Sequence, residues 1–111
     1  MDNWFDFNYP LSIIHYPFLM RLDLFLKVSR LVLRRSLAQK FCDANRVKVN
    51  GQKAKSSKEI KPNDEIEIKR GNRRTKLKVL EVPAQKQVSR ERAINLYEII
   101  LEETLPDEIF N

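Results

Sequence analysis

Residues 20–35, MRLDLFLKVSRLVLRR, carry Arg21, Lys27, Arg30, Arg34 and Arg35 against a single acid, Asp23. Side chains of this kind stay protonated at neutral pH, so they hold anions rather than shuttle protons. A guanidinium fork in particular meets a phosphate through two parallel hydrogen bonds, which an ammonium cannot copy. Five cations on so short a stretch exceed what solubility needs, and they point to a polyanion. The bland alternative is a solvated helix face whose arginines pair with Asp23 and nearby glutamates. A second run, Arg70, Arg73, Arg74 and Lys76, flanks a turn. It either adds phosphate contacts or sits as a solvated loop.

Other chemistries are poorly served. Cys42 is the sole cysteine, so no intramolecular disulfide can form, and a reducing, cytoplasmic setting is expected. On the inner face of a helix it reads as a small core residue rather than a nucleophile. His15 is the sole histidine, which leaves no Cys/His dyad and no metal site. Glu65 and Glu67 share one face of a strand, but general acid–base work would need a pocket around them. With two glycines in all, there is no phosphate-cradling loop. The chain reads as a binding protein without enzyme activity, metal or cofactor.

Charge is concentrated in the middle. The chain of 111 residues has 21 Lys+Arg and 15 Asp+Glu, a formal +6. Residues 20–80 carry +12, residues 1–19 carry −2 and residues 81–111 carry −4. Such concentration favours nucleic-acid phosphates over an anionic membrane. No apolar run approaches the roughly 18–20 residues of a membrane span, and the first residues lack the basic region of a signal peptide.

The elements that position these groups follow from periodicity. Leu22, Phe25, Leu26, Ser29, Val32 and Leu33 recur at helical spacing, which predicts a helix over about Leu22 to Leu31. Ser36 and Gln39 have capping-box spacing and predict a second helix opening at Ser36. Leu37, Ala38, Phe41 and Cys42 form its inner face, and Asn45 is its left-handed stop. Val47-Lys48-Val49 alternates as a strand, and Asn50-Gly51 is a strong hairpin signal. Lys61-Pro62-Asn63-Asp64 reads as a turn. Residues 65–69 and Leu77 to Val79 continue a sheet around Gly71-Asn72, with Val82 near its end. After a polar linker, Ala93, Leu96, Tyr97, Ile100 and Leu101 predict a helix from about Ser89 to Thr104, and the remainder reads as frayed. The order gives an α+β fold: two N-terminal helices on a small antiparallel sheet, plus a C-terminal helix.

Residues 1–19 differ from everything after them. They hold six of the ten aromatics, two prolines and no Lys or Arg. Three readings stand: an ordered arm, a partner-binding peptide, or an extension from an upstream start codon, the last favoured by the abrupt onset of the basic pattern at Met20. The expected organisation is therefore an extension over 1–19, a binding domain over 20–82, and a linker with a C-terminal helix over 83–111.

Arg21-Leu22-Asp23, Phe25-Leu26, Arg30-Leu31, Arg34-Arg35, Ala38, Arg46-Val47, Val49-Asn50-Gly51, Lys55, Ser57, Asp64 and Ile66 together resemble the RNA-binding domain named after ribosomal protein S-four. The match spans about residues 20–70. It implies an L-shaped surface of two helices and a hairpin that grips structured RNA, with Arg21, Arg30, Arg34, Arg35, Arg46, Lys48, Asn50 and Lys55 facing the RNA. Leu24 stands where that family usually has lysine. Asn45 and Asn63 stand where glycine is common, and asparagine can adopt the same left-handed angles. Within the wider group, the chain is similar to the stand-alone ribosome-associated quality-control protein P family. That resemblance implies a monomeric, cytoplasmic RNA-binding translation factor on a large ribosomal subunit obstructed by peptidyl-tRNA. Its partners would be ribosomal RNA and tRNA, with a tail-adding quality-control factor beside them. The 15-kDa heat-shock protein family, which also binds blocked large subunits, is the alternative, but its usual basic tail contrasts with the acidic one here. A generic structured-RNA module, a fragment guiding an RNA-modifying enzyme, and an interaction module using the aromatic arm are the other readings.

Overall fold

The computed structural model of the chain describes residues 19–105. The expectations for the aromatic extension and its His15, and for the stretch after Leu105, lie outside them. Chain order is β1 (Met20–Arg21), α1 (Leu22–Val28), α2 (Arg35–Asp43), β2 (Val47–Val49), β3 (Gln52–Lys53), β4 (Glu59–Ile60), β5 (Glu65–Arg70), β6 (Arg73–Val79), α3 (Arg90–Ala93) and β7 (Tyr97–Thr104). Five strands form an antiparallel sheet in the order β3-β2-β5-β6-β7, and β1 pairs with β4 as a separate ribbon. This is an α+β architecture, as the patterning implied.

One core joins the layers. Leu22, Phe25 and Leu26 of α1 are fully buried with Val47, Ile66, Ile68, Leu77 and Val79 of the sheet, and Ala38 and Cys42 of α2 close it. Each such large side chain removed from water is worth about 1.5–3 kcal/mol. Alternation along β5 and β6 buries Ile66, Ile68, Thr75, Leu77 and Val79 and leaves Glu65, Glu67, Arg74, Lys76 and Lys78 on the other face. The expected contribution of Leu37 is smaller: it is exposed on α2, and Phe41 is half-buried.

Helix ends depart from the periodicity. α1 stops at Val28 rather than Leu31, because Arg30 takes φ +64° and its N–H returns to the Lys27 carbonyl. The 20–35 pattern therefore spans a helix, a left-handed stop and a turn. α2 starts at Arg35, with Arg34 as its N-cap and no side chain capping it. The Ser36/Gln39 capping box does not form, because Gln39 is drawn instead to a buried carboxylate on α1. At the other end Asn45 does act as the stop, with φ +61°. Asn45 N–H donates to Cys42 O and Arg46 N–H to Phe41 O, the paired bonds of a Schellman motif.

Turns behave as the residues demand. Asn50 and Gly51 both have positive φ, as a two-residue hairpin requires. Asn63 sits at φ +77° in the Lys61–Asp64 turn, closed by Asp64 N–H on Lys61 O. The C-terminal helix is much shorter than expected. It is one turn, Arg90–Ala93, capped by Ser89 Oγ on Arg92 N–H, and Tyr97–Thr104 is a strand against β6. Tyr97, Ile99, Ile100 and Thr104 suit a strand, and pairing covers the ladder groups that β6 would otherwise leave open.

Candidate nucleic-acid interface

The centre of the basic region is an acid. Asp23 lies in the first turn of α1 with no exposed surface. Its Oδ1 accepts from Arg21 Nε at 3.2 Å and from the Leu24 N–H at 2.7 Å. Its Oδ2 accepts from an Arg21 terminal nitrogen at 3.2 Å, Arg35 Nε at 3.3 Å and Gln39 Nε2 at 2.8 Å. Burial pushes this carboxyl up, but the hydrogen bonds from Gln39, Arg21 and Arg35, with the Arg35 charge, outweigh it and hold the group below its ordinary value. A charge buried with this many donors stays ionised. Both arginines remain nearly half exposed, at 46% and 42%. Asp23 thus orients Arg21 and fixes Arg35 as well. Arg35 is held through Nε while its side chain stays 42% exposed.

The loop after β3 is tied to the same corner. Leu22 N–H donates to Lys58 O at 2.7 Å and Asp23 N–H to Ser56 O at 3.1 Å. These bonds place the exposed Lys55 and Lys58 beside Arg21. Lys48 on β2 stands opposite Lys53 on β3, with Glu67 on its other side. Like charges in direct register cost stability unless an anion lies between them. A cleft of about 310 Å³ runs beside this hairpin, lined by Lys53, Lys55 and Lys58 among others.

The eight sequence-derived residues thus fall into groups. Arg21 and Arg35 meet at Asp23, with Arg34 at the N-cap of α2, and Lys55 lines the cleft beside the hairpin. Arg46 and Lys48 border a separate cleft of about 290 Å³ with Asn45 and Glu67. Arg30 leaves the helix at its left-handed stop and donates to the Val88 carbonyl at 3.1 Å. Asn50 turns inward: its Nδ2 donates to Asp64 at 3.1 Å, and its Oδ1 accepts from Glu65 N–H at 2.9 Å. It shapes the hairpin that presents Lys48 and Lys53. Lys53, Lys58 and Lys86 were absent from the sequence-derived set, though the first two stand in the same basic stretch.

The Arg70–Lys76 run is largely neutralised. Arg70 donates to the Leu31 carbonyl at 2.9 Å. Arg73 pairs with Glu102, Arg74 with Glu103 at 2.7 Å and Glu67 at 3.9 Å, and Lys76 with Glu65 at 3.4 Å. Glutamates of both neighbouring strands, β5 and β7, thereby offset Arg73, Arg74 and Lys76 of β6. Cys42 is buried and its thiol is pushed up to about 11 by burial and by the charges of Asp23 and Asp43, as a core residue would be. Among the described residues, no helix is long and apolar enough to cross a membrane, and no group of acids, His and Cys is placed to hold a metal ion.

Known proteins resemble this chain in sequence and in fold. Residues 20–66 match the S4 domain family model. The chain is 44% identical over 90 residues to a Streptococcus pneumoniae protein named RQC P-site tRNA stabilizing factor, covering 81% of this chain and 100% of that one. It is 43% identical over 86 residues to the Bacillus subtilis protein of the same name, covering 78% and 98%. Two solved structures share the fold. Vibrio cholerae heat shock protein 15, described as trimeric, superposes with a TM-score of 0.67 at 28% identity, over 73% of this chain and 81% of that one. The solution structure of a hypothetical protein, HP1423, gives 0.66 at 36% identity, over 76% and 100%.

Proposed function

We propose a function from one premise: the chain belongs to the family of RQC P-site tRNA stabilizing factors, where RQC denotes ribosome-associated quality control. It binds structured RNA, tRNA and ribosomal RNA together, on a large ribosomal subunit that still carries peptidyl-tRNA. There it steadies the tRNA while the stalled nascent chain is processed by a tail-adding factor. It works as a monomeric, non-catalytic factor in the cytoplasm. The observation that carries this reading is the buried Asp23 holding Arg21 and Arg35 in fixed directions at an edge rich in further cations. Structured RNA is read through phosphates and 2′-hydroxyls rather than through its deep groove, so fixed guanidinium forks are what such a surface needs. Arg21, Arg34, Arg35 and Lys55 make the principal phosphate contacts. Arg30, Arg46 and Lys48 extend them, and Asn50 acts through hairpin shape.

A second reading, recycling of blocked subunits in the manner of heat shock protein 15, draws on the fold shared with that protein. The higher identity to the tRNA-stabilizing factors favours the first. Co-sedimentation with purified large subunits, with and without peptidyl-tRNA, is the test. Preferential pelleting with occupied subunits, weakened by Arg34→Ala and by salt, supports the proposal. Equal binding to empty subunits or to any RNA overturns it. A reconstituted tailing reaction that is indifferent to the protein would favour recycling.

A further inference from the structure

Segment 84–88 lies beyond the S4-matched residues, yet it forms one wall of a groove against α1. The groove, of about 570 Å³, is lined by Leu24, Lys27, Arg35, Gln85, Lys86 and Gln87. A second hollow of about 300 Å³ continues from it, sharing Lys27, Lys86 and Gln87 and reaching Arg30 and Leu33. Neither lining contains an acid. Two ties hold the wall in place: Arg30 donates to the Val88 carbonyl, and Arg92 donates to Gln85 Oε1 at 3.2 Å while pairing with Glu81 at 2.7 Å. With its oxygen taken by Arg92, the Gln85 amide offers its N–H donors.

We propose that this groove receives a single unpaired RNA nucleotide lying next to the segment gripped by the α1–α2 corner. The proposal rests on the RNA-binding reading above and extends it to a site outside the S4 match. Three features select this ligand. Lys27, Lys86 and Arg35 in the groove's lining supply cations for a phosphate. Leu24 and Leu33 supply apolar surface, and Leu33, 84% exposed, is open to a flat ligand. The Gln85 and Gln87 amides supply hydrogen bonds for a base edge or a 2′-hydroxyl. A bare anion would leave the leucines uncovered, and a paired base would offer them no face. Unpaired, splayed nucleotides are what proteins read specifically in RNA.

The test uses the full chain and two RNA stems, identical except that one carries a single bulged nucleotide. Wild-type protein binds the bulged stem about tenfold more tightly, the scale of one well-seated base. The double variant Gln85→Ala/Lys86→Ala, at exposed positions and checked for folding by circular dichroism, loses that preference while keeping its affinity for the paired stem. Side-chain amide signals of Gln85 and Gln87 shift in NMR spectra on adding the bulged stem to the wild type. A variant that keeps the preference, or one that weakens on both stems alike, overturns the groove assignment alone. Wild-type protein that binds neither stem overturns the RNA-binding reading with it.

Discussion

Arg35 on α2 reaches back to Asp23 on α1, Nε to Oδ2 at 3.3 Å, on the same oxygen that takes Arg21. The two helices are thus joined by a polar contact under a surface that must meet phosphate. A carboxylate beneath a cationic site opposes anion binding in sign, but Asp23 is fully buried. Buried, it sets direction, and direction is what a bidentate contact requires.

Asp23→Ala should therefore weaken both stability and RNA binding, although it makes the protein more positive. The expected loss of stability is about 2–3 kcal/mol, below the usual cost of breaking a fully buried pair because both arginines are half solvated. Urea unfolding and RNA titration check the two effects. Unchanged or tighter RNA binding would show that Asp23 does not orient the arginines.

Acid should unfold the wild type partly through this group. Its folded value lies below its ordinary one, so its contribution is present above the ordinary carboxylate range and is lost as pH falls through the lowered value. Asp23→Asn should be less stable than wild type at pH 7, with the difference shrinking at pH 3 and below. Thermal melts across that range give the comparison.

Arg34→Ala should reduce the salt dependence of RNA binding by roughly 0.7–0.9 in the log–log slope, the share of one phosphate contact. Arg73→Ala should leave the slope nearly unchanged, since Glu102 already balances it. Its effect on stability should stay under about 1 kcal/mol, as for an exposed pair. Equal slopes for the two variants would contradict the division of the surface into open and cancelled charge.

Asn50→Ala should cost about 1–2 kcal/mol, because it removes the bonds to Asp64 and Glu65 at a positive-φ position. Asn50→Gly should recover the backbone part of that loss. A loss of RNA binding that Gly restores would make Asn50 a shaping residue rather than a contact.

Local chemistry was legible in the sequence wherever one residue settled its own conformation. Asn45, Asn50, Gly51 and Asn63 announced their left-handed angles, and β5 announced its faces by alternation, whereas only the end of β6, Leu77 to Val79, was legible as strand. What was hidden depended on partners far along the chain. Gln39 could cap its own helix or reach Asp23, and the buried charge won. Tyr97–Thr104 fits either period, and the open edge of β6 decided for the strand. Arg30 fits a helix turn, but ending α1 at Val28 frees it to meet Val88, 58 positions away in sequence. The corner of Arg21, Asp23 and Arg35 could be guessed from their types, but the convergence of Gln39 and the loop after β3 could not.

The glutamates of β7 have a consequence for how the molecule meets its target. By pairing with Arg73 and Arg74 they leave the protein with a lopsided field, stronger at the α1–α2 corner than across the outer sheet. In the field of a polyanion such a body feels a torque as well as a pull. It would arrive already turned the right way, so that most collisions begin with the gripping side forward.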